Sequence, residues 1–378
     1  MMISPHGVSA IDNDVPRRAL RVLVLTPLGP GGKGGIDRMM DYLRAELPRA
    51  PIAEIDVDFL STRGPGSIVW SPLYLASALV RLATRAIAGK VDVVHINLSS
   101  GGSTYRKILA GWTSRLVRVP YVVHLHSGRF PQFWDKAPWP LSGLITSLYR
   151  NAAGVIVLGK IWADFIHRRL PDYRQPVWIL PNATPAVTVS PAPRTDEVMH
   201  VVYLGLFAPQ KGIDELGAAF EIMAKDGVAF RATVAGTGAV DAFRARMNAA
   251  GLLGRVSVLN WLGADDVAHL LSMGDVLVLP SYSEALPVSI IEGFANGLAV
   301  VATPVGAIPE LIKHELTGLL VPVRDAGTLA EALSRLAREP DLRRALGRTA
   351  RQHHAEVLAI GPYVHNLVRI WWAAAQPH

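Results

Sequence analysis

Two glutamates, Glu284 and Glu292, stand eight residues apart in the stretch Ser281-Tyr-Ser-Glu284-Ala-Leu-Pro287-Val-Ser-Ile-Ile-Glu292. The apolar run at 276–279 just ahead of them reads as a buried strand, so Glu284 falls in the loop that follows it. Pro287 suits the first turn of a helix, where its missing N–H leaves nothing unsatisfied. Gly297 is a fitting C-terminal stop. One carboxylate therefore precedes a helix N-terminus and the other lies about one turn inside it. Between them lie backbone N–H groups without helical partners, a ready site for a phosphate anion. Carboxylates accept hydrogen bonds from hydroxyls. Such a site suits a ligand with hydroxyls at both ends and a diphosphate in the middle, which is the shape of a nucleotide sugar.

The elements around this stretch alternate. Residues 21–25 form a short apolar run that ends in a loop rich in glycine and proline, 27–35, and a helix with Met39, Met40 and Leu43 follows. Further strands are expected at 56–60, 91–95, 121–125 and 154–158, most of them separated by helical segments. This is the pattern of a parallel, doubly wound α/β sheet. Residues 183–197 hold several prolines and little periodicity and read as a linker between an N-terminal domain, 20–182, and a C-terminal domain, 198–355. In the second half strands are expected at 200–204, 231–235, 256–259, 276–279, 299–302 and 318–321. The end of the chain, 356–378, reads as a helix returning to the N-terminal domain, and residues 1–19 as a loose tail. The predicted fold class is α/β, with two Rossmann-like doubly wound domains facing a cleft. Ligands of open α/β sheets bind beyond the carboxyl ends of the strands. The loops at 29–35, after Leu125, after Gly205 and at 281–287 all follow strands.

Composition narrows the partners. The 378 residues are 50% hydrophobic and 18% charged, which supplies a sizeable core. Cysteine is absent, so disulfides, thiolate metal sites and a cysteine nucleophile are excluded. The formal net charge is +7, spread along the chain without a run. With no nucleic-acid-binding signature, this favours an anionic membrane surface over nucleic acid. No apolar stretch has the roughly 20 residues of a span, and Asp12 and Asp14 ahead of the first apolar run do not suit a secretory signal. The expected place is the cytoplasm, or the inner face of the cell membrane.

The chain resembles the retaining GT-B glycosyltransferases of family 4 (group 1), especially those that build bacterial exopolysaccharides. The likeness covers nearly everything after residue 20. It rests most specifically on Glu284-x7-Glu292 followed by Gly297-Leu-Ala-Val-Val-Ala-Thr-Pro-Val-Gly306. Leu180-Pro-Asn182, Gly205-x5-Lys211-Gly212, Ala235-Gly-Thr-Gly238, Pro30-Gly-Gly-Lys-Gly-Gly35 and His124-Leu-His126-Ser-Gly128 stand in the family's order. The resemblance implies a metal-independent transfer of a hexose from a UDP- or GDP-sugar to a glycan or polyprenyl-linked acceptor, with retention and without a cofactor. It gives Glu284 contacts to the donor sugar and Glu292 the ribose hydroxyls. The loop of Ala285, Leu286, Pro287 and Val288 surrounds the diphosphate, and Lys211 neutralises its charge. Gly35 and Gly205 allow close approach, Leu262 beside Trp261 takes the base, and His126 sits near the reacting sugar. The family has arginine directly after the glycine of the Lys211 motif, where this chain has Leu206. Lys211 alone, or Arg129, Lys33 or another cation, then carries the diphosphate charge.

Other features have ordinary readings. The 29–35 loop lacks the Lys-Ser/Thr of a P-loop and the strict GxGxxG of a dinucleotide site. Asp56 and Asp58 alternate with apolar neighbours, as on one face of a strand. His124 is expected on the side of its strand opposite His126 and reads as structural. His353-His354 lacks partners at ligand spacing and reads as a surface pair. In 105–118, Ile108, Leu109, Trp112 and Leu116 share a helical face among Arg106, Lys107, Arg115 and Arg118. That face reads first as core-facing and second as a membrane contact. Two further functions stand beside transfer: a non-catalytic nucleotide-sugar binder, which Leu206 favours, and a nucleotide-sugar 2-epimerase, whose acid–base residues are not evident. A dehydrogenase lacks its glycine fingerprint and the acidic residue after it.

Overall fold

The computed structural model describes residues 19–49, 55–187 and 198–376. The expected tail at 1–19 thus lies outside the described residues up to position 18, and the expected linker lies outside them from 188 to 197. The chain forms two compact units, one made of residues up to Pro181 together with those from Gly361 on, the other of Asn182–Ile360.

The first unit contains β1 (Leu20–Thr26), β2 (Ile55–Ser61), β3 (Val93–Leu98), β4 (Tyr121–Leu125), β5 (Gly154–Val157) and β6 (Val177–Ile179) in the sheet order β2-β1-β3-β4-β5-β6. Every pairing is parallel. Its helices are α1 (Gly35–Glu46), α2 (Ser71–Ile87), α3 (Gly102–Leu116), α4 (Phe130–Asp135), α5 (Trp139–Arg150) and α6 (Lys160–Arg169). Central parallel strands are covered on both faces and so consist of apolar runs. β3 obeys this with two exceptions, His95 and Asn97, both fully buried. The strand begins two residues later than its sequence suggests and runs on to Leu98. Asp92, just before it, turns instead to Arg21, accepting from the backbone N–H at 2.8 Å and from the guanidinium at 2.7 Å.

The second unit contains β7 (Met199–Phe207), β8 (Phe230–Gly238), β9 (Val256–Leu259), β10 (Val276–Leu279), β11 (Ala299–Ala302) and β12 (Leu319–Leu320), in the order β12-β11-β10-β7-β8-β9. The helices are α7 (Ile213–Lys225), α8 (Val240–Ala249), α9 (Ala264–Ser272), α10 (Val288–Ala295), α11 (Ile308–Leu311), α12 (Ala326–Arg338) and α13 (Pro340–His353). The last helix, α14 (Ile360–Ala375), joins the first unit, where the fully buried Trp371 donates its indole N–H to His95 Nδ1 at 3.0 Å.

Three ordinary readings change. His354 is buried in the second unit with Nε2 2.9 Å from the Thr184 hydroxyl, so the histidine pair is not a surface pair. Asn182, Ala183 and Thr184, at the start of the proline-rich segment, are buried as well. On α3 the predicted apolar face divides: Ile108 is buried, but Leu109, Trp112 and Leu116 are exposed. Lys107 is not a solvated charge either. It is wholly buried, donates to the Thr62 hydroxyl at 2.8 Å, and burial pushes its ammonium pKa down to about 7. Asp58 on β2 is engaged by Arg85, as an ordinary strand aspartate would be. No described helix is long and apolar enough to cross a membrane.

Candidate functional site

The second unit builds its site from the carboxyl ends of β7 and β10. After β7 the chain makes a short 3-10 turn, Pro209–Lys211, and enters α7 through Gly212. Gly212 has φ +69°, and a Cβ there would fall 2.0 Å from the carbonyl oxygen of Pro280. Only glycine permits that conformation together with that approach. The Tyr282 N–H donates to the Gln210 carbonyl at 2.9 Å across the same seam. With the backbones locked together, Lys211 Nζ meets Glu284 Oε1 at 2.5 Å.

A second glycine holds the other side of the Glu284 loop. Gly306, at φ +58°, would place a Cβ 2.0 Å from the Glu284 carbonyl oxygen, and Ala307 N–H donates to the Ala285 carbonyl at 3.0 Å. Asn182 donates its side-chain amide to the Leu286 carbonyl at 2.7 Å. Ala285, Leu286 and Val288 are buried, and Pro287 is the N-cap of α10. The loop therefore reaches the helix N-terminus with its backbone fixed at both flanks. Glu292 lies inside α10 and is buried, while Gly297, at φ +72°, ends the helix where the sequence places its stop. A glutamate mostly withdrawn from water inside a helix retains its place by function or by pairing, because desolvating a charge costs on the order of several kcal/mol.

Gly205 and Leu206 lie at the end of β7. Tyr203 donates its hydroxyl to the Leu206 carbonyl at 2.9 Å beneath them, and a Cβ on Gly205 would fall 2.8 Å from that hydroxyl. The Leu206 side chain is partly exposed and brings no charge. A further cation beside this loop is Arg324, whose guanidinium lies 4.8 Å from the Tyr282 ring centroid. Leu262 follows β9, next to the exposed Trp261, at the carboxyl edge of the same sheet. Thus Lys211, Gly205, Glu284, the 285–288 loop and Glu292 come from adjacent strands, and Leu262 from the far edge.

The first unit holds His126 and Gly35. Gly35 opens α1, and a Cβ there would meet nothing within 4 Å. The glycine loop before it is tied down: Asp37 accepts from Leu28 and Gly29 N–H at 3.0 and 3.1 Å, and Asp41 from Gly31 N–H at 2.9 Å. Burial raises the Asp37 pKa despite those bonds.

His126 follows β4 directly. Its Nε2 lies 2.8 Å from Asn97 Oδ1, and the Asn97 amide nitrogen donates to the Leu25 carbonyl at 3.2 Å. The amide oxygen of Asn97 is thus turned to the imidazole, so Nε2 carries the hydrogen and Nδ1 is left as an acceptor. Burial and the neighbouring His95 lower the His126 pKa to about 3, and burial lowers that of His95 to about 3. His95 Nε2 lies 3.2 Å from His124 Nδ1, and the rings of His124 and His126 have centroids 3.9 Å apart. His124 therefore lies on the same side as His126 and not on the opposite side expected from the sequence, because residues two apart along a strand share a face. Trp371 can only donate, which leaves Nδ1 of His95 bare and its hydrogen on Nε2 for His124. His126 is therefore a neutral hydrogen-bond acceptor braced by a buried polar column. His95, Asn97 and Trp371 were not singled out in the sequence. Two polar residues alternating inside the apolar run of β3 are the signal that points to the first two. Among the described residues no group of three carboxylate or imidazole side chains could hold a metal ion.

The chain is similar to known proteins along most of its length. A "Glycosyl transferase 4-like domain" model matches residues 14–183, and a "Glycosyl transferases group 1" model matches 191–353. The 2-deoxystreptamine glucosyltransferase of Streptomyces kanamyceticus is 25% identical over 371 residues, covering 91% of this chain and 94% of that one. Among solved structures, sucrose-phosphate synthase from Thermosynechococcus elongatus superposes with a TM-score of 0.74 at 20% identity, over 93% of this chain and 98% of that one. Anabaena HepE, solved in complex with UDP-glucose, gives 0.71 at 16% identity, over 94% and 100%. Both halves of the chain thus match glycosyltransferase domains, and the chain is a glycosyltransferase of the GT-B type.

Proposed function

We propose that the chain transfers a hexose, with retention of configuration, from a UDP- or GDP-sugar to an oligosaccharide or a polyprenyl-linked acceptor at the inner face of the cell membrane, in the synthesis of exopolysaccharide or another cell-surface glycan. The observation that carries this reading is the Lys211–Glu284 pair at the entrance to α10, 2.5 Å apart. It puts a cation and a hydroxyl acceptor beside the N–H groups of a helix start, the three things a sugar diphosphate needs. Glu292 binds the ribose hydroxyls, and Leu262 packs against the base. Gly205 and Gly35 leave room for the phosphates. HepE was solved with UDP-glucose, which supports a donor of this class.

In the reaction the bond from the anomeric carbon to the diphosphate breaks, and the acceptor oxygen bonds to the same face of that carbon. The departing phosphate oxygen takes the acceptor's proton. Lys211 and the 285–288 amides stabilise the charge that develops on the diphosphate. His126, neutral and with a bare Nδ1, accepts a hydrogen bond from a sugar hydroxyl and so fixes the ring's orientation. No metal or cofactor enters the scheme. The uncharged Leu206 favours a second reading, a protein that binds nucleotide sugars without turnover. A thermal-shift screen of UDP- and GDP-hexoses, followed by product analysis, tests both: a ligand of the folded state raises Tm. Binding with transfer supports the enzyme, binding without nucleotide release supports the binder, and no shift with any nucleotide sugar contradicts both.

A further inference from the structure

Helices α2, α3 and α5 of the first unit pack side by side, α2 on α3 and α3 on α5. Right-handed crossovers place them on one face of the sheet. None of the three carries an aspartate or glutamate. By contrast α1 on the same sheet carries Asp37, Asp41 and Glu46. The outward side of the acid-free layer is not polar. Val80 and Ile87 lie seven residues apart on α2, and Ile87 is 79% exposed. Leu109, Trp112 and Leu116 follow at helical spacing on α3, with Leu116 84% exposed, and Trp139 at the start of α5 is 87% exposed. Arg81, Arg115 and Arg118 are exposed beside them.

Exposed apolar side chains on neighbouring helices are unusual on a protein surface unless something covers them. Here the combination of aliphatic tips, tryptophan and arginine, with no carboxylate on the three helices themselves, selects one kind of cover. We propose that this layer docks on an anionic phospholipid surface, the apolar side chains entering the headgroup region and the arginines meeting the lipid phosphates. No described helix could span the bilayer, so the attachment is peripheral. The inference does not depend on the identity of the sugar donor.

Flotation of the full chain with phosphatidylglycerol-containing vesicles, and with pure phosphatidylcholine vesicles, tests it. Binding to the anionic vesicles is expected to exceed binding to the neutral ones by about tenfold or more at low salt and to fall at high salt. Arg115→Glu should lower it by at least about fivefold, the equivalent of one lost basic contact. Leu116→Glu should lower it comparably while leaving Tm and donor binding unchanged, since both positions are exposed. Failure to float with anionic vesicles at low salt would overturn the proposal. So would undiminished flotation of both variants, or a lipid-free dimer that Leu116→Glu dissociates, which would assign the face to a second copy of the chain.

Discussion

Lys211 and Glu284 are 73 residues apart in the chain, and their side chains meet at 2.5 Å. The contact joins the turn after β7 to the loop after β10, two strands that are neighbours in the sheet. It exists because Gly212 lets one backbone pass against the carbonyl of Pro280. A motif lysine and a motif glutamate thus form one unit, and the glycine between strand and helix is what makes them so.

That dependence gives the first prediction. Gly212→Ala and Gly306→Ala each push a methyl into a carbonyl oxygen at 2.0 Å and force an alanine to positive φ. Each should destabilise the second unit by about 2 kcal/mol or more. Denaturant unfolding measures this. Gly35→Ala, with nothing within 4 Å of its Cβ and no positive φ, should leave stability unchanged or raise it by up to about 1 kcal/mol, yet weaken phosphate binding.

Glu292 and Glu284 should separate in kinetics. Glu292→Ala should weaken nucleotide binding by about 10–100-fold, the loss expected if the proposed charge-assisted bonds to ribose are removed. Calorimetric titration with UDP and GDP reads it. An unchanged Kd for the nucleotide would remove Glu292 from the site.

Asn97 is expected to act through His126. Asn97→Leu removes the acceptor for His126 Nε2, so the imidazole is free to change tautomer. Transfer should fall by about tenfold, while nucleotide affinity stays within about twofold. Imidazole 15N shifts show the tautomer directly in the ligand-free protein. A Nδ1 that already carries the hydrogen in the wild-type chain would contradict the assignment.

Acid should destabilise the first unit. His95 and His126 have pKa values lowered to about 3 in the fold, against 6.5 for an ordinary histidine. Below 6.5 the unfolded chain takes up protons that the folded chain does not, so stability present above that pH is lost as the pH falls towards 3. The slope attributable to the fully buried His95 approaches about 1.4 kcal/mol per pH unit in that window. Tm against pH measures it, and His95→Gln should flatten the profile.

Much of this was legible in the residues. The runs at 276–279 and 299–302 coincide with β10 and β11, because buried parallel strands leave an uninterrupted apolar record. Those at 121–125 and 256–259 coincide with β4 and β9 although His124 and Ser257 interrupt them. Gly297 marks the end of α10 for the same local reason, its positive φ. The polar column was not legible. His95 and Asn97 interrupt an apolar strand and find partners 29 residues later in His124 and His126. Trp371 reaches His95 across 276 residues, and no local pattern carries such a contact. The outer face of α3 was misplaced for a related reason: periodicity shows that Leu109, Trp112 and Leu116 share a face, but only packing shows that Ile108 fills the core without them.

The most direct test is nucleotide release and glycosyl transfer from UDP- and GDP-hexoses, measured for the wild-type chain, Lys211→Ala and Glu284→Gln. Turnover with a retained anomeric configuration is expected in the wild type, and a loss of about 10²–10³-fold in kcat in each variant. Glu284→Gln should keep its nucleotide affinity within about threefold. Turnover left intact by both substitutions would contradict the site, and binding without any release in the wild type would contradict the reaction.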